Sequence, residues 1–552
     1  MTQEAPGSRT EAFDFVIVGG GTAGAVLAHR LTESGTDTVC VLEAGPMDRH
    51  PYLHIPAGFI KVIFDPRHSW QFESEPGSAI DGRRITLPQG RVVGGSSSIN
   101  GMIFSRGQRG DYDAWAEAGN AGWGYLDVLP YFRQIEQRIG DADSRYRGRH
   151  GRVPVTSTDF IHPLCEAFMA GAEHAGIPRN PDFNAASQAG VGYMQRNIHR
   201  GRRQSAARTY LKPALRTGRV ELRTRATVVS LLFDGARAVG VSYVRGAAGA
   251  PVCVRARREV LLCAGAVNSP KILQLSGIGQ GPLLQKLGIP VRQALPAGEN
   301  LRDHFSIRVV ARARNCLTLN ELARGPRLVG QVTRWMLGRP SVIALSPALV
   351  HWFWKSDPSL AAPDLQGIFT PGSYKEGFIG LLDDFPGMSA GVNQHRPESV
   401  GYVHARSTDP FEDPMIQPNY LSHPRDQQVL IAGIKLARKL LRTPELAEYF
   451  AGESLPGPDV ESDGEVLDFA RAKGTTSFHL VGTCRMGPAG DRSAVVDHQL
   501  RVHGTQGLRV VDASVMPNIP SANTYAATLM IAEKAADFIR QRPPLARVEG
   551  VH

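Results

Sequence analysis

A chain of 552 residues is long enough for two to four structural units, and 42% hydrophobic against 21% charged residues excludes wholesale disorder. The formal charge of +10 comes from 62 basic and 52 acidic residues. Its densest knots, Arg200 to Arg203 and Arg255 to Arg258, are short and lack interleaved aromatics, so no nucleic-acid partner is expected.

In chain order, residues 1–12 are polar and carry no apolar signal core, and no later apolar stretch approaches ~20 residues, so neither a signal peptide nor a transmembrane segment is predicted. Phe15 to Val18 is a compact apolar run of the kind that forms a buried parallel strand. It enters Gly19-Gly20-Gly21-Thr22-Ala23-Gly24 and then a helical stretch through Ala25, Leu27, Ala28 and Leu31. In a GxGxxG turn Gly19 permits the tight bend, Gly21 lets the backbone approach a pyrophosphate and Gly24 lets helix pack on strand, while the helix N-terminus offers N–H groups to phosphate. A second apolar strand, Thr38 to Leu42, ends in Glu43 and Ala44, which places an acid where ribose hydroxyls are bound. A lone GxGxxG is unspecific; strand, glycines, helix, strand and terminal acid together predict a dinucleotide site. FAD and NAD both fit these residues, whereas the acid disfavours NADP, whose 2′-phosphate it would repel.

The six cysteines, Cys40, Cys165, Cys253, Cys263, Cys316 and Cys484, are widely spaced without CxxC, which supports neither a disulfide framework nor a zinc site. No metal ligands are assigned. Cys40, Cys253 and Cys263 fall in strand-like runs and are expected as small buried thiols, and a reducing cytoplasm is the expected compartment.

Further along stand Gly90-Arg91-Val92-Val93-Gly94-Gly95-Ser96-Ser97-Ser98-Ile99-Asn100-Gly101 and, after the strand-like Val260 to Ala264, Gly265 to Gly279. The first has the small residues of a loop that lies flat against a ligand. These segments resemble the two signature patterns of the glucose–methanol–choline (GMC) oxidoreductase family. Asp111 to Trp115, Trp123 to Phe132, Gly298 to His304, Asp413 to Leu421, His479 to Gly487 and Val511 to Pro517 also match in order and spacing, so the resemblance spans nearly the whole chain.

The resemblance implies FAD, with Gly19, Gly21, Thr22, Ala23 and Gly24 around the pyrophosphate, Glu43 and Ala44 at the adenosine ribose, and Val228 at the adenine. Arg91, Val93, Gly94, Gly95, Ser98, Asn100, Gly101 and Met102 would line the isoalloxazine, and Asp512, Ala513 and Thr524 the ribityl–phosphate and pyrimidine side. Where some members carry a histidine that attaches FAD covalently, this chain has Ile99, so non-covalent FAD is expected. His479 and Asn523 match the active-site histidine and its partner. Alcohol oxidation sends a hydride to flavin N5 and a proton to a base, which suits histidine; an asparagine amide can hydrogen-bond the substrate oxygen and orient it. Leu529, Ala532, Ala536 and Ile539 recur at helical spacing, so a helix is expected from Thr524, its N-terminal dipole favouring anionic reduced flavin.

The expected fold class is α/β: a Rossmann-like FAD-binding domain from segments 13–155, 205–306 and 466–552, with a discontinuous substrate domain from 156–204 and 307–465. Alternating stretches such as Val400 to Ala405 predict that the second is built on a mostly antiparallel sheet. His351-Trp352-Phe353-Trp354 reads as a buried aromatic strand or as pocket lining, and His304 as a hydrogen-bonded structural histidine. The function implied is FAD-dependent oxidation of an alcohol to an aldehyde or ketone, near the choline dehydrogenase and alcohol dehydrogenase branch. The sequence places no aromatic cage and carboxylate for the quaternary ammonium of choline. A family-related lyase without net redox, of the hydroxynitrile lyase type, and a non-enzymatic flavoprotein are the alternatives. Oxygen and quinone both remain open as electron acceptor, and the charge would suit a peripheral contact with an anionic membrane.

Overall fold

Phe15 to Val18 are buried on both sides, as a central parallel strand requires. The computed structural model, which describes residues 11–246, 249–375 and 381–551, sets strand Ala12–Val18 between the parallel strands Val39–Glu43 and Val252–Leu262. Val220–Thr224 extends the sheet beyond Val39–Glu43, and Leu508–Val510 runs parallel to the end of Val252–Leu262. The first half of Val252–Leu262 pairs antiparallel with Arg237–Val244, which in turn pairs with Thr227–Asp234. Helices Thr22–Thr32 and Thr524–Ile539 pack on each other and bury their side chains in the core of this Rossmann-like unit. Distant parts of the chain therefore meet at the carboxyl ends of the parallel strands, where ligands of such sheets bind.

A second seven-stranded sheet has the order Phe450–Leu455, Phe305–Ala313, Gly387–Gln394, Leu365–Thr370, Val350–Trp354, Gly190–Tyr193, with Thr475–Thr476 also paired to Phe305–Ala313. Every pairing in it is antiparallel. Helix Pro424–Leu441 packs against Gly387–Gln394 with Leu430, Ile434 and Ala437 in a second hydrophobic core. Phe72, Ile80, Ile85 and Leu87, far upstream in sequence, join this second core.

Two expectations change. Gly401–His404 is a strand, but it belongs to a separate three-stranded sheet with Glu299–Leu301 and Met415–Gln417. Cys253 is exposed, because the first half of Val252–Leu262 alternates and turns Val254 and Ala256 inward and Cys253 outward, whereas Cys40 and Cys263 are buried as expected. All six cysteines are free, and among the described residues no helix is long and apolar enough to cross a membrane.

Candidate active site

Between the two sheets lies one cleft with about 2500 Å³ of space free of protein atoms, part of it open to solvent. Gly19 turns with φ of +104°, and a Cβ there would stand 2.4 Å from the Cys263 carbonyl oxygen. A Cβ on Gly24 would stand 2.0 Å from the Gly19 carbonyl oxygen, so helix and strand touch there as the motif predicts. Gly21 differs: its missing Cβ would meet nothing closer than Gly95 Cα at 3.7 Å, so protein packing alone does not demand glycine, and the gap opens onto the cleft.

Glu43 is buried at the end of its strand. Its Oε2 accepts from the Gly20 N–H at 2.9 Å and its Oε1 from the Gly45 N–H at 2.8 Å. Burial pushes its carboxyl up to about 7, against the pull of these two donors. Each oxygen keeps a second acceptor site for a ligand hydroxyl.

The cleft is lined by Gly19, Gly21, Thr22, Ala23, Glu43, Ala44, Gly95, Asn100, Gly101, Met102, Val228, Asp512, Ala513, Asn523 and Thr524, together with His479. Gly24, Arg91, Val93, Gly94 and Ser98 stand behind its wall. Gly94 has φ of +95° and its N–H donates to the Gly20 carbonyl at 2.7 Å, tying the second loop to the first. The Ser98 hydroxyl donates to the Val93 carbonyl at 2.9 Å, and the Arg91 guanidinium stacks over Trp70 with 4.6 Å to the ring centroid. Asp512 is saturated by protein: Ser514 N–H and hydroxyl donate to Oδ1, and Gly265 N–H and the Ser269 hydroxyl to Oδ2, at 2.5 to 2.9 Å. Its carboxylate thus pins the loop of Ala513 to helix Gly265–Leu275. Ile99 is buried in an apolar cluster with Leu53, Val62, Ile63 and Val92.

Asn523 occupies the N-cap position of helix Thr524–Ile539, but its side chain does not cap. The amide is committed elsewhere, which leaves the first-turn N–H groups of Thr524 and its neighbours without a side-chain partner beside the cleft. Asn523 Nδ2 donates to His479 Nε2 at 3.0 Å, while Asn523 Oδ1 accepts from Gln366 Nε2 at 3.2 Å.

The protonation of His479 follows from its other neighbours. His304 Nε2 lies 2.7 Å from the His395 carbonyl oxygen, which can only accept, so His304 carries its proton there. In the neutral ring His304 Nδ1 is then an acceptor, and it lies 2.9 Å from His479 Nδ1. His479 therefore donates from Nδ1 and presents a lone pair at Nε2. Burial keeps both rings neutral: it draws His304 down to about 4, and burial first, then the electrostatic competition of the adjacent His304 ring for a proton, draw His479 well below the ordinary histidine value. The His479 N–H donates to Asp303 Oδ1 at 2.7 Å, and Asp303 Oδ2 accepts from Tyr420 and Thr476 hydroxyls at 2.5 Å. Sequence reasoning saw His304 at the end of a motif but missed its contact with His479. It missed Gln366 altogether, since a single glutamine in a strand gives no signal.

GMC oxidoreductase family models match residues 13–306 and 397–532. The chain is 40% identical over 547 residues to mitochondrial choline dehydrogenase of Homo sapiens, covering 98% of this chain and 91% of that one. It is 37% identical to an alcohol dehydrogenase (acceptor) of Pseudomonas putida, with 98% and 97% covered. Among solved structures, pyridoxine 4-oxidase from Mesorbium loti superposes with a TM-score of 0.86 at 30% identity over 96% of this chain and 100% of that chain. Matched along both halves and over its whole length, the chain belongs to the GMC oxidoreductase family and is an FAD-dependent alcohol oxidoreductase.

Proposed function

We propose that this enzyme converts a primary or secondary alcohol to an aldehyde or ketone with His479 as general base. One observation carries the assignment: the His395 carbonyl, His304 and His479 form a chain that leaves the lone pair of His479 Nε2 at the cleft beside Asn523. The substrate hydroxyl would replace the Asn523 N–H at His479 Nε2 and give its proton there, and the released Asn523 N–H would orient the substrate oxygen. Bound FAD supplies the acceptor for the hydride that leaves the carbinol carbon.

The residues present fit that cofactor. The open gap at Gly21, the buried Glu43 with free acceptor sites, and the uncapped N-terminus of Thr524–Ile539 suit pyrophosphate, ribose and an electron-rich ring respectively. Ile99 in its apolar cluster offers no nucleophile, which supports non-covalent binding. We assign the remaining loop residues, Arg91, Val93, Gly94, Ser98 and Gly24, to shaping the cleft from behind. Segments 13–155, 205–306 and 466–552 form the FAD-binding domain in this reading, and 156–204 and 307–465 the substrate domain.

The reoxidant is oxygen or a quinone. A peripheral contact with an anionic membrane is supported by helix Gly325–Met336, which buries no residue and exposes Val329 (67%) and Met336 (74%). No carboxylate occurs between Glu321 and Asp357, while Arg324, Arg327, Arg334 and Arg339 do. The free cysteines suit a reducing cytoplasm. No feature of the cleft favours the lyase.

The test is anaerobic bleaching of the flavin by a panel of primary, aromatic, sugar and amino alcohols. Bleaching by at least one class is expected, and readmitted air then separates oxidase from dehydrogenase. A holoenzyme that no alcohol bleaches would turn the assignment toward the lyase.

A further inference from the structure

Three neighbouring strands of the second sheet turn one face to the cleft. Pairing places Ser306 opposite Asn393 and Asn393 opposite Gln366, and one step along, Arg308 opposite Gly391 and Gly391 opposite Ile368. All six residues line the cleft that holds His479 and Asn523. The first row is polar and reaches the catalytic pair through Gln366, whose Nε2 donates to Asn523 Oδ1. The second row contains a single charged group, Arg308. Gly391 gives that side chain its space: a Cβ on Gly391 would stand 3.6 Å from Arg308 Cγ and 2.9 Å from Ile368 Cγ1.

The Arg308 side chain makes no ion pair and no hydrogen bond with any described residue. Among the described residues it lies against the face of Tyr374, with the guanidinium carbon 5.2 Å from the ring centroid. Burial lowers its basicity, and no carboxylate among the described residues offsets this. The carboxylates that line the cleft are committed elsewhere: Glu43 to the Gly20 and Gly45 N–H groups, Asp512 to Ser269, Ser514 and Gly265, and Asp413 to the field of Lys271. A half-buried guanidinium facing the cleft without a counter-charge among the described residues is an open site for an oxyanion, which its planar fork can hold.

Resting on the alcohol-oxidation reading above, we propose that Arg308 is a specificity-determining residue and that the preferred substrate is an alcohol bearing a carboxylate or similar oxyanion several bonds from the hydroxyl. The row spacing sets the separation. Arg308 is about 7 Å along the strands and about 10 Å across them from Gln366, from the usual strand rise and spacing. A hydroxymethyl-aryl carboxylate or an ω-hydroxy fatty acid fits such a span; an α-hydroxy acid is too short. A quaternary ammonium alcohol would meet a like charge, so this chain is set apart from a choline-oxidising enzyme by its own residue.

The experiment pairs neutral and anionic alcohols of one shape on the holoenzyme: benzyl alcohol with 4-(hydroxymethyl)benzoate, and butanol with 4-hydroxybutanoate, with choline as the cationic arm and hydroxyalkyl phosphates as the second oxyanion. Flavin reduction kcat/KM is expected to favour an anionic member at least about tenfold, the order of one charge-assisted hydrogen bond. Arg308→Ala should abolish this preference, with the anionic member losing far more than its neutral partner and the loss falling on KM, and Arg308→Lys should restore part of it. Titration with benzoate, which cannot be oxidised, should perturb the flavin spectrum of the wild type about tenfold more tightly than that of Arg308→Ala. Neutral alcohols favoured in every pair, or Arg308→Ala purified without FAD, would overturn the proposal while alcohol oxidation stands. Benzoate bound through Arg308 with no alcohol oxidised would instead leave the anion site standing and remove the alcohol reading.

Discussion

His304 Nδ1 and His479 Nδ1 face each other at 2.9 Å, and only one of them can supply the hydrogen between them. The His395 carbonyl decides which, because it claims the His304 proton at Nε2. His304 is thus a positioning residue that selects the tautomer of His479 without touching substrate. His304→Ala should lower kcat/KM about ten- to a hundredfold, the cost of about 1–3 kcal/mol for a buried donor left unpaired. Removing the neighbouring ring should also raise the His479 pKa, so the acid limb of the rate profile should move to higher pH. An unchanged limb with normal FAD content would show that His304 only fills space.

The sign of the wild-type pH dependence follows from the same contacts. His479 acts as a base and must be unprotonated, and its pKa lies well below the ordinary 6.5 because it is buried beside His304. Flavin reduction should therefore be flat above pH 6.5 and fall only in more acid solution. His479→Ala should cost roughly two to four decades and lose that limb. A limb at or above pH 6.5 in the wild type would contradict the buried, neutral state of the ring.

The nucleotide-binding half was legible because its signals are local. Gly19, Gly24 and Glu43 lie within one strand–turn–helix–strand unit, where backbone geometry dictates residue type. Asn523 could be read as the start of a helix, yet its diversion from capping to His479 depends on a histidine 44 positions away. Gln366 and Arg308 were invisible for the same reason: their meaning comes from strand register, which sets Ser306, Asn393 and Gln366 in one row and Arg308 in the next. The exposure of Cys253 escaped prediction because a short apolar run does not tell which face of an alternating strand turns outward.

Glu43 holds two N–H groups of adjoining turns, so its loss should disturb cofactor binding more than folding. Glu43→Ala should weaken FAD about ten- to a hundredfold, since Gly20 and Gly45 lose their acceptor and the ribose loses its own. The check is FAD titration of the apoprotein followed by flavin fluorescence. In the wild type, trichloroacetic acid should release all the yellow colour, given Ile99 at the attachment position; colour retained in the pellet would show a covalent link from another residue.

Helix Gly325–Met336 should carry any attachment to a lipid surface. Val329→Glu with Met336→Glu should cut co-sedimentation with phosphatidylglycerol vesicles about tenfold or more, and high salt should weaken the wild type, since each surface arginine contributes about 1 kcal/mol. Neither residue lines the catalytic cleft, so flavin reduction by alcohol should be unaffected. Equal binding to neutral and anionic vesicles would remove the arginines from the argument, and self-association relieved by the same variant would make the face a contact between copies. Like charges on such a two-fold contact argue against that outcome.

Arg30 couples the first helix to the last. It is buried and pairs with Glu533 and with Asp537 Oδ1, the latter at 2.8 Å, both on the helix that carries Asn523 at its N-terminus. Arg30→Met would leave two buried carboxylates without their cation, a loss of about 3–5 kcal/mol when one partner of such a set is removed. Thermal inactivation should occur at clearly lower temperature, and FAD should be lost early, because the N-terminus of that helix borders the cofactor cleft. Adding Glu533→Gln and Asp537→Asn to Arg30→Met should recover most of the stability, since neutral amides in the same space no longer need the guanidinium. If Arg30→Met alone keeps the wild-type midpoint, the two helices are held by their apolar contact and the buried ion pairs contribute nothing to the seat of the catalytic asparagine.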